Sequence, residues 1–437
     1  MAQETGTVVQ AKRKPAMLDL LKQPNYRKLW LGQAISQCGD QFTFLALIIV
    51  MTQLTGSASA VGVLLMVMTI PRFLLGMAAG VFVDRWDRKR LLVFSDTIRG
   101  IFSLCLILVV TKERVWMVYP IAFIVSTVGV FSMPARNAVM KQILKPEELV
   151  PANILSQTTV TITMVIGSVL AGVIVGVFGA APAFAFDALT FFASAALVAM
   201  MTIEHIARTV AKGQRGSVFW SELKDGLAFV ATSRIVMGLL LVLTVFGLAS
   251  GAANALFAPF LLNTLNATPA QVGVVNAAQG LGMILGGLLA AVFVARLRPN
   301  WVIAGGLAAF GVCLVLISMA HSYLIVLVLL FIIGVVSTPL SATLAALMQK
   351  MVPLEKMGRV AGTMNTSQSV ANLLAMGSAG ILADAIGQRL VIIGAGLIAI
   401  VSGLAAIPAI GDEPAAAAEP EPSPRMALVT SDDHDQR

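Results

Sequence analysis

Charged residues are scarce in this chain. Asp, Glu, Lys and Arg together make up 12% of its 437 residues, whereas apolar residues make up 58%. Typical soluble domains carry about 25% charged residues, which cover their surface. Because this chain has about half of that share and a mean hydropathy of +0.88, its composition excludes a soluble fold. It predicts a protein that faces lipid over most of its area.

Cysteine and histidine are also rare, with three of each. The three cysteines lie in separate apolar runs and the histidines lie in polar stretches, so neither a disulfide framework nor a metal site can be assembled. The chain has no GxxxxGK[ST] phosphate loop. We therefore expect no metal, no cofactor and no ATPase activity, and we do not expect an enzyme.

The chain carries a formal net charge of +8. Its basic residues form no basic domain, which argues against a nucleic-acid partner. They fall instead in alternate short loops, where Arg136, Lys141 and Lys145 make up one group. Because Lys and Arg concentrate in cytoplasmic loops, this pattern predicts that both termini are cytoplasmic and that the number of spans is even.

Apolar runs long enough to cross a bilayer, about 20 residues each, recur twelve times. The first is too long for the apolar core of a signal peptide. The predicted spans are 29–52, 58–83, 90–111, 116–138, 152–178, 181–203, 236–262, 268–294, 301–320, 322–348, 360–385 and 389–410. They predict an all-α membrane protein of twelve transmembrane helices.

A weak internal repeat divides the spans into two groups of six. Val61–Val63 matches Val272–Val274, and Val81–Val83 matches Val292–Val294 at the same spacing. Since both halves would begin on the cytoplasmic side, the repeat is parallel. The expected organisation is a cytoplasmic N-terminal segment 1–28, an N-terminal bundle 29–203, a cytoplasmic linker with an amphipathic helix 204–235, a C-terminal bundle 236–410 and a disordered cytoplasmic tail 411–437.

The strongest local motif follows the second span and runs Gly80-Val-Phe-Val-Asp84-Arg85-Trp86-Asp87-Arg88-Lys89-Arg90. It resembles the loop signature of the major facilitator superfamily, Gly-x-x-x-Asp-Arg-x-Gly-Arg-x-Arg, with Asp87 in place of the second glycine. The resemblance implies a cytoplasmic gate in which Asp84 latches the halves together near Arg359, at the start of the eleventh helix. A basic loop that only sets topology is the alternative.

Shorter motifs along nearly the whole chain are similar to the macrolide-efflux and enterobactin-exporter branch of that superfamily. They include Ser36-x-x-Gly39-Asp40, Pro134-Ala135-Arg136-Asn137 and Gly358-Arg359-Val360. The resemblance implies a monomeric secondary transporter in the plasma (inner) membrane. It implies export of amphipathic small molecules, such as macrolides or siderophores, by alternating access. The expected partners are this substrate, protons and membrane lipid.

Two charges are predicted near the middle of the first two spans. An ionisable group at mid-bilayer costs about 2.5–3.5 kcal/mol and normally faces a partner or a cavity. Asp40 shares one helix face with Gln37 and Gln41, and we interpret it as a site for a proton or a cationic substrate; a structural acid is the alternative. Arg72 is the expected partner of Asp40 or of an anionic substrate group.

Three more charges lie in the third and sixth spans. Asp96 and Arg99 lie on neighbouring turns, so they either pair with each other or join the gate with Asp84. Asp187 is interpreted as a structural acid, with a proton relay as the alternative.

Polar side chains on three further spans predict the remaining walls of a central cavity. They are Gln157, Thr161, Asn276, Gln279, Asn365, Gln368 and Asn372. Apolar walls with few charges favour drugs, siderophores or lipids over sugars or phosphates. The alternatives are a flippase or importer of lysolipids with the same fold, and a membrane scaffold or sensor without transport.

On the fifth span, Gly167-Ser168-x-x-Ala171-Gly172 resembles the antiporter signature Gly-Pro-x-x-Gly-Gly, with Ser168 and Ala171 departing from it. Small residues that let two helices pack closely are the alternative.

Overall fold

The computed structural model describes residues 17–109, 111–202 and 234–410. Within these ranges the chain forms twelve α-helices and no β-strand. The helices are α1 Pro24–Thr55, α2 Ala58–Arg85, α3 Arg88–Ile107, α4 Val118–Ile143, α5 Leu149–Phe178, α6 Ala180–Ala199, α7 Arg234–Pro259, α8 Pro269–Arg296, α9 Pro299–Met319, α10 Tyr323–Met351, α11 Leu354–Ile386 and α12 Gln388–Ile410. A 3-10 helix, Met17–Lys22, precedes α1, and a π-helical turn, Phe260–Thr264, extends α7.

The prediction of a twelve-helix all-α membrane protein is confirmed. Eleven of the described helices are long and apolar enough to cross a membrane. The remaining one, α3, begins with three basic residues and also carries Asp96 and Arg99, which lowers its hydropathy. The predicted linker 204–235 and tail 411–437 lie almost wholly outside the described residues, as do residues 1–16 of the N-terminal segment.

Helix contacts divide the described chain into two sets of six. In the first set α1 packs on α5 and α6, α3 packs on α4 and α6, and α2 packs on α4. Each of these pairs recurs six helices later in the second set. There α7 packs on α11 and α12, α9 packs on α10 and α12, and α8 packs on α10. The two sets therefore share one topology, as a parallel repeat requires.

The same corner ends the fifth helix of both sets. Gly179 joins α5 to α6 with a φ of 80°, and Gly387 joins α11 to α12 with a φ of 91°. Positive φ is a conformation that glycine adopts without steric cost. Each glycine therefore reverses the chain between two helices with a single residue.

Two helix pairs provide most of the contact between the sets, α2 with α11 and α5 with α8. These pairs touch where their backbones are close. Gly62 of α2 faces the backbone of Met376, and Gly172 of α5 faces Pro269 and Gly273. The small residues of α5 therefore pack two helices together, as the alternative interpretation of that motif expected.

The close contacts between the sets described above lie toward one end of the molecule. We call this the sealed end; its loops lie at 56–57, 179, 265–268 and 387. The opposite, basic end has loops at 86–87, 144–148, 297–298 and 352–353. Gly76 is separated from Gly62 by nearly a whole number of helical turns, so both lie on the same face of α2. Gly362 and Gly380 share a face of α11 for the same reason. Among the described residues, no atom beyond the local backbone lies within 4 Å of where a Cβ on Gly76 or Gly362 would be, which indicates that α2 and α11 are farther apart toward the basic end.

One carboxylate bridges the two sets at the sealed end. Asp384 of α11 accepts hydrogen bonds from Ser57 Oγ (2.6 Å) and from the backbone N–H groups of Ala58 (2.8 Å) and Ser59 (3.0 Å). The first N–H groups of a helix have no partner within the helix, and the helix dipole favours a negative charge there. Asp384 therefore caps α2 from the other half of the molecule.

Replacing Asp384 by Ala should loosen the sealed end. Losing a helix cap costs about 0.5–2 kcal/mol, which corresponds to a shift of roughly 2- to 30-fold in a two-state population. The measurement is the rate at which a membrane-impermeant maleimide labels a cysteine placed at Met376, in a background without Cys38, Cys105 and Cys313. We expect faster labelling in the Asp384→Ala variant.

Glu113→Ala provides the matched control, because Glu113 is an exposed acid in a loop at the same end. Its labelling rate should equal that of the parent. Equal rates for Asp384→Ala and the parent would contradict a bridging role.

Candidate functional site

An ion pair lies inside the first set of helices. Arg99 of α3 donates a hydrogen bond from Nη2 to Asp40 Oδ1 of α1 at 2.6 Å. The Arg99 side chain is 13% exposed and that of Asp40 is 40% exposed. The guanidinium lies over the Phe191 ring of α6, 4.1 Å from the ring centroid, a favourable cation–π geometry. The pair thus has a buried cationic end and a carboxylate at the edge of the bundle.

In this conformation Asp40 therefore pairs with Arg99 and not with Arg72. The alternative, that Arg72 binds an anionic substrate group, stays a prediction. Arg72 is exposed on α2, a helix that packs mainly on α4 and α11 rather than on α1. The long side chain of Arg99 instead reaches Asp40 past Phe191.

Asp96 and Arg99 interact through their charges, but the predicted mutual pair is not hydrogen-bonded. Asp96 is 2% exposed, and its Oδ2 accepts a hydrogen bond from Ser194 Oγ of α6 at 2.6 Å. The hydrogen-bonded partner of Arg99 is Asp40. Both Asp96 and Arg99 lie within the bundle. Because the Asp84 side chain lies outside the described residues, their part in the gate stays a prediction.

Asp187 of α6 is another buried acid, 1% exposed. Its Oδ2 accepts hydrogen bonds from Thr43 Oγ1 (2.6 Å) and Ser103 Oγ (2.8 Å). Its Oδ1 has no hydrogen-bond partner among the described residues. A Cβ on Gly39 would collide with Asp187 Oδ1 and with Thr190, so the glycine before Asp40 is what lets α1 lie against α6 at this depth.

Arg136 completes this group of charges. The sequence pattern predicts that Arg136 lies in a loop with Lys141 and Lys145. Arg136 lies instead within α4 and is half-buried. Its charge acts on Asp96, Arg99 and Asp40. The charge cluster, as we call it, therefore consists of three acids and two arginines, with Asp40 at its exposed edge: Asp40, Asp96, Asp187, Arg99 and Arg136.

The glutamines beside Asp40 lie at the border of the charge cluster. Gln37 is half-buried and its Oε1 has no hydrogen-bond partner among the described residues. Gln41 lies against Gly167, where a Cβ would be 3.0 Å from the Gln41 Cβ. Gln41 therefore contributes to the packing of α1 on α5.

A cavity of about 190 Å³ lies between α1 and the second set of helices. Its aromatic wall consists of Phe44, Phe246, Phe257, Phe260 and Phe310. Its polar groups come from Ser250, Asn254, Asn276, Gln279 and Ser337. None of the residues that line it is charged. Phe44 lies one helical turn after Asp40, so the helix that carries the ion pair also lines the cavity.

Two of the predicted cavity residues, Asn276 and Gln279, line this cavity. Asn372 instead donates hydrogen bonds to Gly247 O (3.4 Å) and Ser250 Oγ (3.2 Å). Gln368 also packs against Gly247. These two residues join α11 to α7 and are not among those that line this cavity. Their place in a wider central cavity stays a prediction.

The other three predicted cavity residues lie nearer the basic end. Gln157 and Asn365 are exposed. Thr161 is half-buried and donates a hydrogen bond to the backbone oxygen of Gln157 at 3.2 Å. They do not line this cavity.

The gate motif is described in part. Asp87 caps α3 by accepting a hydrogen bond from the Arg90 backbone N–H at 3.0 Å. This cap is a structural reason for Asp87 at the position where the superfamily signature has glycine. Arg88 is half-buried and Arg90 is exposed. The side chains of Gly80, Asp84 and Arg85 lie outside the described residues, so the predicted latch stays a prediction.

The sequence is similar to known exporters. It matches the family model described as transmembrane secretion effector over residues 16–433. Macrolide efflux protein A of Streptococcus pyogenes is 27% identical over 363 residues, which cover 82% of this chain and 89% of that protein. The putative bacilysin exporter BacE of Bacillus subtilis is 27% identical over 234 residues, 54% of this chain and 58% of that protein.

Solved structures share the fold. A bacterial homologue of the iron transporter ferroportin, in an inward-facing state, superimposes with a TM-score of 0.71 at 14% identity and covers 91% of this chain and 100% of that chain. A bacterial homologue of the human lysosomal transporter Spinster, inward-facing and unoccupied, gives 0.68 at 14% identity, with 91% and 97% covered. The chain therefore belongs to the transmembrane secretion effector family, within the major facilitator superfamily of multi-pass membrane transporters.

Proposed function

We propose that this protein is a proton-coupled secondary exporter of amphipathic small molecules in the plasma (inner) membrane. The observation that carries the proposal is that α1 bears both the Asp40–Arg99 ion pair and, one helical turn further, a wall of an aromatic cavity without charged residues. The export activities in the names of its relatives, for macrolides and for bacilysin, support the direction of transport.

The positions of the basic residues support this direction further. Since Lys and Arg concentrate on the cytoplasmic side, the basic end is the cytoplasmic end and the sealed end faces outward. The structure, parted toward its basic end, is then ready to load a substrate from the cytoplasm. Rocking of the two six-helix bundles would open the sealed end and release the substrate outside.

The cavity favours amphipathic substrates. Five phenylalanine rings offer apolar and stacking surface, while side-chain amides and hydroxyls can orient a substrate by hydrogen bonds. Its volume of about 190 Å³ is below the roughly 300–1,000 Å³ of pockets that enclose a drug-sized ligand. A macrolide-sized substrate would therefore place one part in this cavity and the rest in the space that opens toward the basic end.

Asp40 is the group that couples transport to protons. Its side chain is 40% exposed, whereas the other two acids of the charge cluster, Asp96 and Asp187, are buried. Asp40 can therefore exchange protons with water in the open pathway. Protonation removes its charge and weakens its hold on Arg99. Moving one charge through the membrane potential is worth about 2.3 kcal/mol per 100 mV. At 100 mV this free energy can support a roughly 50-fold concentration gradient of substrate for each charge moved.

A second candidate is a flippase or importer of lysolipids with the same fold. The observation that favours it is an apolar groove of about 460 Å³ on the outer surface between α7 and α12, lined by Leu241, Val245, Leu397 and Val401 among others. A groove of this kind can hold an acyl chain. The direction of transport separates the two candidates.

Efflux measured for a panel of amphipathic drugs, in a strain without its own pumps, tests the proposal. Cells that express this protein should retain less drug, and a protonophore should abolish the difference. The Asp40→Asn variant should lose concentrative efflux, because its side chain can no longer exchange a proton. Glu113→Gln, a change in an exposed loop acid, is the matched control and should keep full efflux.

Drug efflux that a protonophore leaves unchanged would contradict proton coupling. Uptake of lysolipid without any drug efflux would favour the second candidate. The absence of both would favour a scaffold or sensor.

The aromatic wall should set substrate affinity. Phe44→Ala removes a ring from the cavity, and aromatic pairs contribute about 0.5–1.5 kcal/mol beyond their buried area. We therefore expect the KM for an aromatic substrate to rise roughly 2- to 15-fold or more. Phe178→Ala, at a ring that is 70% exposed at the end of α5, is the matched control. An unchanged KM in Phe44→Ala would remove the cavity from the substrate path.

A further inference from the structure

Two side-chain amides of α8 line the cavity without a hydrogen-bond partner. Asn276 and Gln279 are half-buried and belong to its polar wall. They lie three residues apart, so they are neighbours on one face of the helix. Among the described residues, neither side chain donates or accepts a hydrogen bond. Each amide therefore keeps both its donor and its acceptor free for a ligand.

The donors of the other polar side chains in the cavity are already engaged. Three side chains donate to backbone oxygens of their own helices, Ser250 at 3.3 Å, Asn254 at 2.9 Å and Ser337 at 2.6 Å. The free side-chain donors of the cavity therefore lie with the two amides of α8.

Close packing on both sides fixes this part of α8. Gly280, the residue after Gln279, lies against Val165 of α5, and Gly282 lies against the backbone of α10 at Phe331. A Cβ at either glycine would collide with these neighbours. Groups carried by a helix that is packed in this way are held more precisely than groups on a loop. The two amides are thus presented by a rigid element.

The cavity offers no compensation for a charged ligand. None of the described residues that line it is charged. Asp40, the acid of α1, is not among them and is paired with Arg99 at 2.6 Å. The Arg389 guanidinium lies 6.0 Å from the centroid of the Phe260 ring, which places a positive charge of the protein close to the aromatic wall. A cation that left water for this cavity would lose its hydration without gaining a counter-ion.

We propose that Asn276 and Gln279 determine substrate specificity, and that the part of the substrate bound in this cavity is a neutral group with both a hydrogen-bond donor and an acceptor, such as a secondary carboxamide. The proposal rests on the proposed function, because it concerns the substrate of the same cavity. Such a group can donate to one amide and accept from the other while its apolar flanks contact the phenylalanine rings. A site built to hydrogen-bond a group rejects an analogue without it, because the polar groups of the site are then left unpaired.

Protection of a cysteine in the cavity tests the assignment. Asn254 is exposed and lines the cavity, so Asn254→Cys places a thiol there, in a background without Cys38, Cys105 and Cys313. The purified full-length protein in lipid nanodiscs is labelled with a maleimide in the presence of one of three probes. N-methylbenzamide has a donor and an acceptor, N,N-dimethylbenzamide lacks the donor, and benzylammonium is a cation with the same ring.

The probes should differ in the concentration that halves the labelling rate. One hydrogen bond should make this concentration roughly 2- to 12-fold lower for N-methylbenzamide than for N,N-dimethylbenzamide. Benzylammonium should protect least. This comparison within the parent protein needs no further variant.

Removal of both amides should abolish the preference. Asn276→Leu/Gln279→Met keeps the size of both side chains, and the two benzamides should then protect at similar concentrations. Ser337→Ala is the matched control, because its hydroxyl is bonded to its own helix, and it should keep the preference. Equal labelling rates without a probe would show that the variants keep the cavity.

Equal protection by the two benzamides in the parent, strongest protection by benzylammonium, or no protection by any probe would overturn the proposal. A preference that survives in the double variant would overturn the role of the two amides. The labelling result does not depend on transport. Cells that retain drug despite expressing the protein would therefore overturn the proposed export while leaving the specificity of the cavity in place.

Discussion

Arg99 carries a charge that a protein cannot remove, because a guanidinium stays protonated at any pH at which the protein is folded. Its side chain is 13% exposed within a bundle of apolar helices. The bundle must therefore supply compensation on every side: Asp40 in direct contact, the face of Phe191, and the carboxylate of Asp96 three residues earlier on α3. The positions of Asp40 and Asp96 can be understood from this fixed positive charge.

Helix α1 connects that charge to the rest of the protein. Within a short stretch it carries Gly39, which packs on α6, Asp40, which pairs with Arg99, and Phe44, which lines the cavity of the other half. A change in the charge of Asp40 acts on the same helix that touches the substrate cavity. This gives a physical route from proton to substrate within one rigid element.

The contact between the two halves is of a kind that can be broken and re-formed. At the sealed end it includes close backbone approaches at glycines and the hydrogen bonds of Asp384 to the start of α2. Apolar side chains of both halves, among them Val61, Val272 and Ala379, also share one buried cluster. Rigid-body motion of one half against the other is the type of transition that such interfaces allow.

The sequence predicted the helices well because apolar runs of membrane length are a strong signal; each predicted span lies within about six residues of its helix. It also identified Asp40, Asp96, Arg99 and Asp187 as intramembrane charges. The partners of these charges were not predictable, because tertiary packing decides which helices are neighbours. Arg72 was therefore expected as the partner of Asp40, whereas the structure places Arg99 there. The phenylalanines of the cavity could not be distinguished from the other apolar residues of their helices, and nothing in the sequence pattern singled out Asp384.

A double-mutant cycle between Asp40→Asn and Arg99→Gln tests the ion pair most directly. The free energy of unfolding of each single variant, the double variant and the wild type would be measured in the same lipid. Because Asp40 is partly exposed, the full cost of breaking a buried pair does not apply. The account predicts a coupling of about 1–3 kcal/mol, with the double variant more stable than the sum of the single losses. Losses that add within about 0.5 kcal/mol would show that the two charges act independently, and would contradict it.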